Sequence, residues 1–273
     1  MIMRPLYEAI SEAAAALRPL AGEAAPFEAR LLLAGALGLD HLRPPYSAPM
    51  TAEGEAALAA LLARRLAGEP LQYILGEWEF MGLPFFVGPE ALVPRQDTET
   101  LCEAVLQRRP QGNGLRLLDL GCGTGCIGLS LAKLGGFAPT LTDISPACLA
   151  LALRNAARLG VDVRIAHGDL FEALTPGETF DVICCNPPYI PRSEVDSLQL
   201  EVLQEPRLAL DGGPDGLSFY RRLAAGYAPF LAKGGLLALE IGFDQGEAVR
   251  ALFQGGKMIQ DICGRDRVIL LEG

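Results

Sequence analysis

Along the first seventy residues, alanine and leucine recur at helical spacing in three stretches, 6–20, 26–39 and 51–67. Residues three and four apart share one face of a helix, so this pattern predicts a small bundle of amphipathic helices. Gly22, Pro44-Pro45 and Gly68-Glu69-Pro70 interrupt it and mark the turns. Thr51 stands where an N-cap is wanted, and Glu53 and Glu55 follow in the first turn, at the positive end of the helix dipole. Arg64-Arg65, near the other end, read as favourable dipole placement on a solvated face, with a docking contact as the sharper alternative. Aromatics and glycines then crowd residues 76–88 and predict two short strands around a turn at Met81-Gly82.

From residue 115 the pattern changes. Apolar runs at 115–120, 138–142, 161–166, 180–185, 235–241, 258–263 and 267–271 alternate with helix-like stretches at 127–134, 146–159, 216–231 and 245–253. Such alternation implies a mostly parallel sheet covered by helices. Only Gly264-Arg265-Asp266 separates the last two runs, too little for a crossover helix, so one of them must run antiparallel.

Composition narrows the function classes. The chain has 273 residues, half of them apolar, enough for one good core and a smaller second one. It contains no run of about 18 uncharged apolar residues. The opening Met1-Ile2-Met3-Arg4-Pro5 leads to Glu8 and Glu12 rather than to a signal-peptide core, so a cytoplasmic protein with no membrane partner is expected. Seven cysteines, several in apolar runs, read as reduced core thiols. With no Cys-x-x-Cys pair and only His41 and His167, no metal site is expected. A net charge of −10 disfavours direct binding to nucleic acid and favours a protein partner, especially a basic one.

The candidate chemistry lies where strands end. Asn186-Pro187-Pro188-Tyr189 follows the apolar run 180–185, and two prolines cannot continue a central strand because neither has an N–H to donate. The chain must leave the sheet there in a stiff loop carrying an amide, free carbonyls and an aromatic ring. Gly121, Cys122, Gly123, Thr124 and Gly125 form a glycine loop after the first strand, Asp143 ends the second, and Asp169 follows the third. Glycine loops of this kind let backbone N–H groups approach a ligand closely, and a carboxylate after the second strand can accept from ribose hydroxyls in NAD and S-adenosylmethionine alike. The alternative for Asp143 is an N-cap for the helix near Pro146. The order of the four loops favours a methyltransferase: a dehydrogenase has no use for a rigid amide-binding loop, and no catalytic His or Lys stands out.

Six segments together resemble the HemK/PrmC family of protein-(glutamine-N5) methyltransferases, which modify peptide chain release factors: Glu69-Pro70-Leu71-Gln72-Tyr73-Ile74-Leu75-Gly76, Val93-Pro94-Arg95-Gln96-Asp97-Thr98-Glu99, the glycine loop, Asn186-Pro187-Pro188-Tyr189-Ile190, Glu205-Pro206-Arg207-Leu208-Ala209-Leu210 and Gly264-Arg265-Asp266-Arg267-Val268. The resemblance spans nearly the whole chain. It implies a Rossmann-like S-adenosylmethionine-dependent α/β domain with a seven-stranded mixed sheet, preceded by a small helical bundle: residues 1–72 for substrate docking, a hairpin linker at 73–92 and a catalytic domain at 93–273. It puts Gly121–Gly125 against the amino-acid end of the cofactor, Asp143 on the ribose, Asp169 and Leu170 beside the adenine, and Thr98, Glu99 and Asn186 close by. Asp119 would orient the glycine turn. Thr98 and Glu99 have a simpler alternative, since Asp97 and Glu99 also suit the start of a helix. One departure is Gln96, where the family usually has proline, which loosens that loop.

The expected reaction explains these residue types. A carboxamide nitrogen is a poor nucleophile, because its lone pair is delocalised into the carbonyl. The Asn186 side-chain oxygen and the Pro187 carbonyl could accept its two N–H groups and localise that pair. Tyr189 would pack on the amide plane or guard the slot, with Pro188 holding the loop. The expected product is S-adenosylhomocysteine and the expected partner a release factor, through the glutamine of its Gly-Gly-Gln loop. Glutamine methylation of a ribosomal protein is the nearest alternative. Adenine N6 methylation would require a flipped base and a basic groove, which the charge opposes. A non-catalytic sensing role leaves the acceptor loop without a purpose.

Overall fold

The computed structural model describes residues 4–39 and 45–273. His41, Pro44 and Met1-Ile2-Met3 lie outside them. The chain divides into two compact units, Met1–Gly76 with Leu200–Gln204, and Glu77–Gln199 with Glu205–Gly273.

The smaller unit contains α1 (Leu6–Ala21), α2 (Ala25–Leu37), α3 (Ala52–Leu66) and the short α4 (Leu71–Leu75). Leu6, Ala9, Ala13 and Leu17 form the buried stripe of α1 at the spacing that the sequence predicts. Thr51 caps α3 by accepting a 3.1 Å bond from Gly54 N. Arg65 departs from its expected place on a solvated face. It is 2% exposed and pairs with Glu28 of α2 at 2.8 Å and with Glu201 of the returning segment at 2.6 Å. Arg64 is the solvated one, paired with Glu69. Adjacent helical positions point 100° apart, so one arginine can turn inward while its neighbour faces solvent.

The larger unit begins with a hairpin, β1 (Glu77–Phe80) and β2 (Leu83–Phe86), whose turn residues Met81 and Gly82 both have positive φ. That is the turn whose twist matches paired strands. Phe80 and Phe85 are buried in the same cluster as the sheet's first face, so the hairpin belongs to this unit rather than bridging two. Then come α5 (Gln96–Arg108), β3 (Arg116–Leu120), α6 (Cys126–Gly135), β4 (Ala138–Asp143), α7 (Pro146–Leu159), β5 (Arg164–His167), β6 (Phe180–Cys185), α8 (Arg192–Val195), α9 (Ser218–Gly226), β7 (Leu231–Glu240), α10 (Gly246–Leu252), β8 (Lys257–Gln260) and β9 (Asp266–Glu272).

The seven strands β3–β9 form one sheet in the order β5-β4-β3-β6-β7-β9-β8. β9 is the antiparallel strand, inserted between β7 and β8 and pairing with both. Side chains alternate between the faces. Leu117, Val182 and Cys184 meet α5, α6 and α7 residues, whereas Leu118, Ile183 and Cys185 meet Tyr220, Leu223 and Val249. Because both faces are covered, the strands read as continuous apolar runs. Six cysteines are buried and only Cys263 is exposed, and burial raises the thiols of Cys102, Cys184 and Cys185 well above their usual range. Among the described residues, no helix is long and apolar enough to cross a membrane.

Candidate active site

Sheet register aligns the site. Leu120 of β3 sits opposite Thr142 of β4 and Cys185 of β6, and Cys185 sits opposite Leu239 of β7. One residue further along each strand, Asp143, Gly121, Asn186 and Glu240 therefore fall side by side across the carboxyl edge. β3 and β6 flank the point where the strand order reverses, where open α/β sheets bind ligands.

A cavity of about 350 Å³ opens there, within the range of small-molecule sites. Gly121, Cys122, Gly123, Thr124, Asp143, Asp169, Leu170, Thr98, Asn186, Pro187 and Pro188 all line it. Gly121 and Gly123 hold φ of 67° and 54°, which turns their backbone toward the cavity at no Cβ cost. Gly125, Glu99 and Tyr189 are not among the lining residues. Gly125 is the left-handed residue before α6, where an added Cβ would meet Leu129, Ala152 and Leu141 at 3.0–3.2 Å, so it serves helix and strand packing. Glu99 accepts a 2.6 Å bond from Met81 N and thereby fastens the hairpin turn. Tyr189 packs against the second core cluster, and its phenol is pushed up to about 12, mainly by burial.

Asp143 accepts from Gly123 N and from Ser145 N, each at 2.9 Å. The N-cap of α7 is Ser145, which accepts from Cys148 N at 3.3 Å, so the capping alternative for Asp143 falls away. Each carboxylate oxygen retains a second lone pair, which fits a ribose diol. Asp119 is fully buried and accepts from Gly128 N at 2.9 Å, tying β3 to the first turn of α6, and burial pushes its carboxyl up to about 7. Asp169 pairs with Arg222 at 2.9 Å, and Leu170 beside it is a non-glycine residue with φ 51°. Backbone so strained persists where the surroundings hold it, commonly at ligand sites.

The loop after β6 is braced from behind. Gln245 Nε2 donates to Tyr189 O at 2.9 Å, Ile190 N donates to Leu210 O at 3.1 Å, and Gly212 N donates to Ile190 O at 2.8 Å. An added Cβ on Gly212 would meet the Tyr189 backbone at 2.8 Å, so only glycine allows this close approach. Asn186 Nδ2 donates to the buried Thr98 Oγ1 at 3.2 Å. Thr98 thus acts on Asn186, a role that its position at the start of α5 did not announce.

Among the further lining residues, Val93, Pro94 and Arg95 belong to a segment that carries the resemblance, and Glu90, Ala91 and Leu92 carry no signal in the sequence. The segment Glu90–Arg95 forms one wall, held by Glu205, which is 5% exposed, accepts from Val93 N at 2.9 Å and pairs with Arg95. Gln96 is the first residue of α5, a position that proline favours but does not require, and Arg95 before it is held by that pair. Glu240 was missed altogether. It is 1% exposed, and burial raises its carboxyl to about 7 against the opposing influence of Thr98, Arg267 and Asn186.

The methyltransferase small domain matches residues 96–213, and the PrmC N-terminal domain matches residues 8–76. A release factor glutamine methyltransferase of Moorella thermoacetica is 44% identical over 97% of this chain and 97% of its own. That of Geobacter sulfurreducens is 44% identical over 90% and 89%. Among solved structures, the T. thermophilus 16S rRNA N2 G1207 methyltransferase in complex with AdoMet and guanosine superposes with a TM-score of 0.53, at 20% identity, over 72% of this chain and 49% of that one, a likeness of fold. With 44% identity over almost its whole length, the chain belongs to the release factor glutamine methyltransferase family.

Proposed function

We propose that this protein transfers a methyl group from S-adenosylmethionine to the side-chain amide nitrogen of the glutamine in the Gly-Gly-Gln loop of peptide chain release factors. The observation that carries the reading is Asn186 placed beside the Gly121 loop by the register of β3 and β6, with its amide nitrogen already engaged by Thr98. Its oxygen is then left to accept, and the carbonyl of Pro187 supplies a second acceptor with no neighbouring N–H to compete. Two acceptors on one amide nitrogen favour a more tetrahedral nitrogen whose lone pair is free to attack. S-Adenosylmethionine, held by Gly121, Gly123, Asp143, Asp169 and Leu170, supplies an electrophilic methyl group. Once methylated, the nitrogen is strongly acidic and loses its proton readily, so the site needs no dedicated base. Holding nucleophile and methyl in line contributes up to about 7–11 kcal/mol in well-oriented reactions.

Calorimetry tests the cofactor. Heat is expected with S-adenosylmethionine and with S-adenosylhomocysteine but not with NAD, and the reverse result would exclude the reading. Mass spectrometry of a release factor incubated with enzyme and cofactor should locate a single methyl on its Gly-Gly-Gln glutamine.

The division of labour between the units is also proposed. Residues 1–72 recognise the body of the protein substrate, which makes the active-site contact effectively intramolecular. A chain beginning at Gln72 should bind the cofactor and methylate a short Gly-Gly-Gln peptide poorly, yet lose most of its efficiency on the intact factor. Equal efficiency on the intact factor, in a shortened chain that binds cofactor normally, would refute the docking role.

A further inference from the structure

We propose that Arg222 is a positioning residue for the adenine of the cofactor, fixing the Asp169 carboxylate that receives the exocyclic amine, and that Phe219, one helical turn earlier, forms the surface on which the ring lies. The inference rests on the proposed use of S-adenosylmethionine, with Asp169 and Leu170 at its adenine end.

Helix α9 carries both residues to the cavity. Residues three apart share one face of a helix, and Phe219 and Arg222 both line the cavity, whereas Tyr220 and Leu223 are fully buried in the second core cluster. Arg221 is engaged elsewhere, donating to Asp215 at 2.9 Å. Arg222 meets Asp169 Oδ2 at 2.9 Å, and its guanidinium carbon lies 5.7 Å from the centre of the Phe219 ring. It thereby ties together a carboxylate and an aromatic ring that border the same space. The segment bearing Asp169 is gripped a second time, at the other end of α9. Phe171 stacks on Phe230, with ring centres 5.3 Å apart and planes 6° from parallel, and an added Cβ on Gly226, the last residue of α9, would meet the Phe171 ring at 2.7 Å. Leu170, with its positive φ, sits between the two grips.

Fold stability does not account for the ion pair. The Asp169 and Arg222 side chains are 35% and 46% exposed, and pairs so open to water contribute little to folding. The effect of the pair is local. It occupies Oδ2 and keeps the carboxylate from turning, which leaves Oδ1 to accept from a donor in the cavity. The exocyclic amine of adenine offers such a donor, and its ring offers a π face to an aromatic side chain. A base with a carbonyl in that place would set oxygen against carboxylate, so a fixed Asp169 selects the base as well as binding it.

The test is calorimetry on the full chain with S-adenosylhomocysteine and with S-inosylhomocysteine, in which a carbonyl replaces the exocyclic amine. The unaltered protein should bind the adenine compound about 10- to 100-fold more tightly. Arg222→Ala should lose most of that preference through weaker binding of S-adenosylhomocysteine, while undiminished binding of S-inosylhomocysteine shows that the variant is folded. Arg222→Lys, which can still pair with Asp169, should keep the preference. Phe219→Ala should weaken both compounds by about tenfold and leave the preference unchanged, and native affinity in that variant would remove the ring from its role. If Arg222→Ala retains the native preference, or loses affinity for both compounds equally, Arg222 does not position the carboxylate and the proposal is overturned. An unaltered protein that binds S-adenosylhomocysteine without preferring it overturns this inference alone, and one that binds neither compound overturns the proposed cofactor with it.

Discussion

Replacing Asn186 with alanine is expected to reduce methyl transfer to a release factor by about 10²- to 10³-fold while leaving the affinity for S-adenosylmethionine close to that of the unaltered protein. The separation follows from geometry. Gly121, Asp143, Asp169 and Leu170 line the same cavity from β3, β4 and the segment after β5, independently of the β6 loop. In the proposed reaction Asn186 brings a side-chain carbonyl oxygen to the substrate, and its loss would remove an orienting acceptor that matters most as the nitrogen becomes tetrahedral. The backbone of the loop stays braced by Gln245 and Leu210, so the Pro187 carbonyl remains in place and residual activity is expected. Asn186→Asp retains an acceptor but has no N–H for Thr98, and it introduces a negative charge near Glu240. It should fall between alanine and wild type. Single-turnover transfer measured alongside calorimetry separates chemistry from binding, and near-native turnover by the alanine variant would remove Asn186 from the acceptor role.

Much of this site was legible because its residues break local rules. Two prolines after an apolar run can only be a loop, and β6 does end at Cys185. Helix α7 spans the predicted residues 146–159 because Ser145, Pro146 and Gly160 punctuate it unambiguously. Residues 216–231 were less legible: α9 covers only Ser218–Gly226, because Pro229 follows and a short 3-10 turn, Ala228–Phe230, leads into β7 at Leu231. Val161 and Val163 look like strand, yet β5 starts at Arg164 and they pack instead on the first core cluster as partly buried residues. Glu240 left a trace that could have been followed. A single carboxylate ends the apolar run Leu236–Leu239 just before Ile241, and an acid inside a strand covered on both faces must be buried. Arg65 left none, since both of its carboxylate partners come from distant segments and helical spacing does not register that.

The largest stability effect outside the site is expected at Arg65. Its guanidinium meets Glu28 at 2.8 Å and Glu201 at 2.6 Å and donates to Glu69 O at 3.3 Å, with Arg65 itself almost wholly buried. Arg65→Ala would leave the buried Glu28 carboxylate without its cation and release Glu201, which reaches the small unit from far along the chain. Removing one member of a buried pair typically costs about 3–5 kcal/mol. Glu201 is 36% exposed and can be rehydrated, which places the expectation near the lower end, about 3 kcal/mol. Arg65→Met together with Glu28→Leu should recover most of the loss, because an apolar pair of similar volume removes the orphaned charge along with its partner. The readout must distinguish the units. The sole tryptophan, Trp78, lies in β1 of the larger unit, so its fluorescence follows that unit, whereas amide exchange in α1 to α3 reports the smaller one. Exchange in those helices should accelerate by about two orders of magnitude in Arg65→Ala, the factor that corresponds to about 3 kcal/mol, and return toward the native rate in the double variant. Unchanged exchange in Arg65→Ala would mean that the triad contributes nothing net to the bundle.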